Sequence, residues 1–179
     1  MPGTTLKNQR GEVVYTPPRG PAVILDLMGN LGQYLNDDSL HDADSLVKMA
    51  VHHFPFKSIH PFYDGNGRNG RILNILYLVL KGLLDIPGLY LSRFVTQNKA
   101  DYYHHLQAVR DTGHWEPWLL YLLTGVEQTV RESIQLITEL RPLMQKTKQR
   151  LRLRTYKFYS QDLLNSLFRH SYTRIGFVQ

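Results

Sequence analysis

The stretch from Ile72 to Leu84 constrains the fold more than any other part of this chain. Ile72, Leu73, Ile75, Leu76, Leu78, Val79, Leu80, Leu83 and Leu84 fall almost all round a helix rather than along one stripe. A helix of that kind sits in the middle of a bundle, so the remaining sequence must supply helices to cover it. Its most apolar run, between Arg71 and Lys81, is nine residues long. A membrane span needs about 20, so the run is expected to be a buried helix.

The covering helices are visible as apolar positions with a period near 3.6. One starts near Ala22 and carries Val23, Ile24, Leu27, Met28, Leu31, Tyr34 and Leu35, ending at Asn36-Asp37-Asp38-Ser39. A second starts near Asp44, where an Asp-Ser pair can cap the first turn. It places Leu46, Val47, Ala50, Val51 and Phe54 inward and is expected to break near Pro55. After a loop at 58–67 comes the apolar helix, about 16 residues long by its pattern. Further helices are expected from Lys99 to Arg110 and from Trp115 to about Leu140. Pro142 should interrupt the latter, with a basic solvated helix continuing to Lys157 and a capped helix from Ser160 to Phe168. Residues 1–21 are rich in Gly and Pro, with one strand-like piece, Glu12 to Tyr15, that reads as a hairpin or flap. The expected fold class is therefore all-α, a helical bundle with a short N-terminal β-hairpin flap. The expected division is flap 1–21, helical core 22–142, basic linker 143–159 and terminal segment 160–179.

With 179 residues, the chain is long enough for one domain with a substantial core and a small appendage. It has no cysteine, which excludes disulfides, thiolate metal sites and cysteine nucleophiles and fits a reducing cytoplasm. Neither a signal peptide nor a membrane span is expected. The net charge of +6 belongs to the tail: residues 141–179 hold nine Lys or Arg against one acid, Asp162. The rest of the chain holds twelve basic and fourteen acidic residues. A nucleic-acid-binding body therefore has no electrostatic basis.

Chemistry is concentrated in His60-Pro61-Phe62-Tyr63-Asp64-Gly65-Asn66-Gly67-Arg68-Asn69-Gly70-Arg71. Three glycines within six residues let the backbone turn tightly and let a ligand approach it. They lead into the N-terminus of the apolar helix, where free amides and the helix dipole favour a phosphate. Arg68 and Arg71 are three apart and share a helix face, so both can grip one polyphosphate. Cations are disfavoured in a first turn, which argues for a compensating anion. Asp64 is a hard oxygen ligand beside that site, suited to Mg²⁺. His60 is placed to act as a general base toward an incoming hydroxyl. The Walker pattern is absent.

These twelve residues match the signature H-x-F-x-[DE]-G-N-G-R-x-x-R at every specified position, and the chain is identified by it as resembling the Fic family. Lys7-Asn8, Val14-Tyr15-Thr16-Pro17-Pro18, Asn74-Ile75-Leu76-Tyr77-Leu78, Tyr90-Leu91-Ser92-Arg93 and Asn98-Lys99-Ala100-Asp101-Tyr102-Tyr103 resemble a bacterial subfamily, over roughly residues 3–140. The resemblance implies a protein adenylyltransferase with a Fic-type bundle. His60 would deprotonate a target hydroxyl that attacks the α-phosphorus of ATP and expels pyrophosphate. Phe62 would be a core anchor, and Asp64 would hold Mg²⁺. Gly65, Asn66 and Gly67 would form the anion hole, with Arg68 and Arg71 on the β- and γ-phosphates. Asn98, Tyr102 and Tyr103 are candidates for the adenosine pocket, and the flap near Thr5, Leu6 and Lys7 for aligning a target segment by strand pairing.

The chain departs from the family's pattern in two places. Relatives are silenced by a [ST]-x-x-x-[AG]-[IL]-E-[GN] motif whose glutamate pairs with the second arginine, here Arg71. None of Glu12, Glu116, Glu127, Glu132 and Glu139 is followed by Gly or Asn. The expectation is an uninhibited form or one restrained in trans by a partner. Residues 160–179 resemble the opening of a winged helix, as in a truncated product. Those 20 residues bury too little to fold alone, so docking or self-association, including a homodimer, stays open. Rival readings are a Fic relative that transfers phosphate, UMP or phosphocholine, or one that removes AMP. The intact Gly65–Arg68 loop and Arg71 favour AMP transfer. A DNA-binding regulator would rest on the basic tail, but the recognition helix of a winged helix is not in the sequence. A zinc site at His52, His53 and His60 is disfavoured because adjacent helical histidines point apart.

Overall fold

In a computed structural model, residues 5–7, 10–40, 42–169, 172 and 174 are described. Strands β1 (Leu6–Lys7) and β2 (Val13–Tyr15) pair antiparallel, with Leu6 opposite Tyr15, Lys7 opposite Val13 and a bulge between them. Helix α1 (Pro21–Asn36) opens on a proline at its first position, where the missing N–H is no loss. A 3₁₀ turn (Asp38–Leu40) leads to α2 (Ser45–Ile59), whose first turn is capped by Asp44 accepting from the Leu46 amide at 2.7 Å. Then follow α3 (Asn66–Leu80), α4 (Leu91–Gln97), α5 (Lys99–Thr112), α6 (Trp115–Arg154) and α7 (Gln161–Arg169). The bundle with a small hairpin is the expected architecture.

The centre of the bundle is α2, not α3. Met49, Ala50, His52 and His53 are completely buried, and Trp118 anchors α6 on α2 by donating to the Ala50 carbonyl at 2.9 Å. Its apolar pattern understated this helix because it also buries polar groups, several of them paired inside the protein, although among the described residues His52 Nε2 is buried without a partner. His52 Nδ1–H donates to the Lys48 carbonyl at 3.0 Å. His53 Nδ1–H donates to Asn74 Oδ1 at 3.1 Å, and Tyr102 donates its hydroxyl to His53 Nε2 at 2.9 Å. On α3 only Asn66, Gly70, Asn74, Tyr77 and Leu78 are buried, whereas Ile72, Leu76 and Leu80 are each more than half exposed. The helix packs on α2 and α4 through one face, so the expectation of an all-round buried helix is corrected.

Both proline expectations are corrected as well. Helix α2 continues through Pro55 to Ile59, and α6 continues through Pro142. Each proline deletes one backbone bond rather than two. Around Pro142 the helix is solvent-exposed, so water can satisfy the freed Thr138 carbonyl. The short helix α4 was not legible at all.

The chain divides into two compact units, residues 1–130 and 131–179. The second contains the rest of α6 and α7, whose first turn is capped by Ser160 Oγ accepting from the Leu163 amide at 3.0 Å. Of the segment that resembles the opening of a winged helix, residues 170, 171, 173 and 175–179 lie outside the described residues. Among the described residues no helix is long and apolar enough to cross a membrane.

Candidate active site

The α2–α3 junction is built by its own side chains. His60 ends α2 in the left-handed conformation (φ 51°, ψ 57°), the one described non-glycine residue with positive φ. Such a backbone costs about 1–3 kcal/mol and persists only where its surroundings enforce it. Asn66, 3% exposed, does the enforcing: Oδ1 accepts from the Phe62 amide at 2.9 Å and Nδ2 donates to the Phe62 carbonyl at 2.6 Å. These two bonds fix the amide orientation and turn Nδ2 toward His60 Nδ1 at 3.2 Å. Thus Nδ1 faces inward, and Nε2 is the edge left for a solute. The Phe62 backbone is the anchor here; the residue is 47% exposed, its ring centroid 6.4 Å from that of Phe56, which corrects the expectation of a core side chain.

Gly65 is also left-handed (φ 80°) and serves as N-cap without a side-chain bond. The first intrahelical bond of α3 runs from the Asn69 amide to the Gly65 carbonyl at 2.9 Å. The amides of Asn66, Gly67 and Arg68 therefore have no intrahelical acceptor and point at the junction. A Cβ on Gly67 would stand 3.3 Å from Arg71 Nη1 and 3.7 Å from Lys57 Nζ, so the bare backbone lets both cations close on this helix end.

His60, Asp64, Gly65, Asn66, Gly67, Arg68, Arg71, Tyr102 and Tyr103 line one cavity of about 370 Å³. Asp64 and Arg68 meet at 3.3 Å, but both are largely exposed and hold each other weakly. Arg71 is held more firmly, its Nε donating to Ser92 Oγ on α4 at 2.7 Å. Burial and then Lys57 push the His60 pKa below its usual 6.5, so the ring is neutral at pH 7 and able to accept a proton.

The expected adenosine candidates diverge. Tyr103 is half-exposed on the cavity. Tyr102 touches the cavity but is 2% exposed, with its hydroxyl committed to His53. Asn98 does not line the cavity: its side chain donates to the Phe94 carbonyl and its own carbonyl accepts from Tyr121. Thr5 is half-buried beside β1, and Leu6 and Lys7 line a neighbouring cleft of about 580 Å³ that shares His60, Lys57, Lys99 and Tyr103 with the first. Tyr15 fastens the hairpin there, donating to the Ser58 carbonyl at 2.9 Å beneath the Arg110 guanidinium, 3.9 Å from its ring. Sequence reasoning missed Lys57, Thr96 and Lys99, which line the cavity, and Ser92, which holds Arg71. The subsidiary likeness at Tyr90–Arg93 was the only signal that marked Ser92.

Comparison with known proteins agrees with this geometry. The Fic/DOC family model matches residues 3–78, and the model described as protein adenylyltransferase SoFic-like, C-terminal domain, matches residues 143–179. The protein adenylyltransferase fic-1 of Caenorhabditis briggsae is 29% identical over 117 residues, 65% of this chain and 22% of that protein. The protein adenylyltransferase Fic of Drosophila mojavensis is 28% identical over 113 residues, 63% of this chain and 21% of that protein. The crystal structure of a Fic family protein from Desulfovibrio desulfuricans G20 superposes with a TM-score of 0.62 at 27% identity, covering 75% of this chain and 39% of that one. The chain thus spans about a fifth of the curated relatives' length. Loop, cavity and comparisons converge: this chain carries a Fic/DOC family domain, followed over residues 143–179 by the C-terminal domain of SoFic-like adenylyltransferases.

Proposed function

We propose that the chain transfers AMP from ATP to a hydroxyl of a target protein. The observation that carries this reading is the convergence, in one cavity, of a neutral His60, three free helix amides, Arg68, Arg71 and Asp64. Triphosphate oxygens replace the weak Asp64–Arg68 contact and meet the amides of Asn66, Gly67 and Arg68. Arg71, braced by Ser92, holds the outer phosphates. The target hydroxyl oxygen forms a bond to the α-phosphorus while the bond from that phosphorus to the β-bridging oxygen breaks, and pyrophosphate leaves. His60 takes the hydroxyl proton on its imidazole ring. Base catalysis of this kind is worth about 10²–10⁴-fold, and one anion-hole donor about 10²–10³-fold.

Among the described residues no group of three His, Cys, Asp or Glu could hold a metal ion. Asp64, an exposed carboxylate at the cavity mouth, fits Mg²⁺ bound by one carboxylate and the nucleotide's phosphates. Bound there, Mg²⁺ supplies neutralisation of the phosphate charge. The edge of β1 near Thr5, Leu6 and Lys7 aligns the target segment beside His60, and an inhibitory glutamate, if supplied in trans by a partner or a second copy, would act at Arg71.

Intact mass spectrometry after incubation with ATP, Mg²⁺ and candidate target proteins tests the reading. A gain of one AMP on a target or on the chain, absent with His60→Ala and without Mg²⁺, supports it. A chain that binds neither ATP nor pyrophosphate refutes the assignment of the loop.

A further inference from the structure

Lys57 lines both cavities, yet no position of the loop signature calls for it. It lies in the last turn of α2, 7% exposed, and among the described residues it makes no hydrogen bond or ion pair. Its Nζ and Arg71 Nη1 flank the Gly67 backbone at the free end of α3, 3.7 and 3.3 Å from the point where a Cβ would stand. The charged or titratable groups around it are His53, His60, Arg71, Lys99 and Arg110, all basic, with Lys7, Arg68, Tyr63, Tyr102 and Tyr103 in the linings of the two cavities. The carboxylate nearest in the lining, Asp64, is 93% exposed and turned to Arg68. A cation so buried and unpaired is costly in isolation. Burial, then Arg71 and Arg110, push its pKa down to about 8. An anion at Gly67 would relieve this cost while meeting the amides that already point there.

We propose that Lys57 is a phosphate-binding residue of this site, holding a phosphoryl oxygen over Gly67 on the side that faces His60. The inference rests on the nucleotide reading above and adds a third cation to Arg68 and Arg71. A phosphate, rather than a carboxylate of the target, is favoured because Lys57, Arg71 and the helix amides share one point. A carboxylate lying in the neighbouring cleft would meet Lys57 without the amides.

Isothermal titration of the full chain with ATP, and separately with inorganic pyrophosphate, tests this with Lys57→Met, Lys57→Gln and Lys57→Arg. Loss of the charge should weaken both ligands about tenfold or more, and Lys57→Arg should recover part of the loss. Thermal melts without ligand should show Lys57→Met unchanged or stabilised, since an unpaired buried charge is removed. Wild-type binding at pH 8, compared in buffers of different ionisation heat, should take up about half a proton as Lys57 becomes fully charged. Wild-type affinity in a folded Met or Gln variant overturns the proposal. If neither variant folds, absence of proton uptake by the wild type overturns it. Binding of pyrophosphate but not ATP, with the variants still impaired, would leave Lys57 in place and refute the nucleotide reading.

Discussion

Acid should unfold the first unit through two histidines that never touch the active-site cavity. His52 and His53 are fully buried on α2, and burial pushes their pKa values from 6.5 down to about 4 and about 3. As pH falls below 6.5 the unfolded chain binds a proton at each, while the folded chain does not until near pH 4 and below. The stability these depressed values contribute is therefore fully present above pH 6.5 and is lost on acidification. With two such groups the slope is about 2.7 kcal/mol per pH unit, and the loss between pH 7 and pH 5 is about 4 kcal/mol. A domain typically holds only about 5–15 kcal/mol. Urea unfolding followed by tryptophan fluorescence reports on this unit, because Trp115 and Trp118 both lie within it and Trp118 stands 5.8 Å from His53. His53→Gln, which cannot titrate, should roughly halve the slope. A fall below about 1 kcal/mol between pH 7 and 5, or an unchanged slope in His53→Gln, would refute the assignment of these histidines as neutral and desolvated.

Two further outcomes concern His60 and Gly125. The transfer rate should stay flat as pH drops through 6.5 and decline only at lower pH, since burial and Lys57 hold the His60 pKa down. An inflection at or above 6.5 in a mass-spectrometric rate profile would contradict this. Gly125→Ala would place a methyl 2.5 Å from Phe94 Cδ1. Overpacking of about 1–3 kcal/mol should outweigh the gain in helix propensity of about 1 kcal/mol. A chemical-denaturation double-mutant cycle with Phe94→Leu should then show less-than-additive loss.

The loop from His60 to Arg71 was legible because its chemistry is local. From His60 to Arg71 the spacing alone brings base, carboxylate, amides and guanidinium groups to one turn, whatever surrounds it. The same holds for α1 and α5, whose apolar period extends over several turns. Helix α4 spans only seven residues, too few for a period to declare itself, so the bond that Arg71 donates to its Ser92 could not be read from periodicity. The proline errors share a cause: at Pro55 and Pro142 neighbouring contacts or solvent tolerate one missing hydrogen bond, which composition cannot report.

Sequence by itself determined the helical class, the hairpin and the identity of the groups in the loop from His60 to Arg71, because each depends on periodicity or on residues a few positions apart. Tertiary structure alone decided which helix is central. The polar groups of α2 are buried by partners 21 and 49 residues away, Asn74 and Tyr102, and no local pattern encodes such pairing. It also decided that Phe62 faces out while Lys57 faces in. A side chain's burial depends on what the rest of the chain packs against it, and that is settled only when distant segments meet.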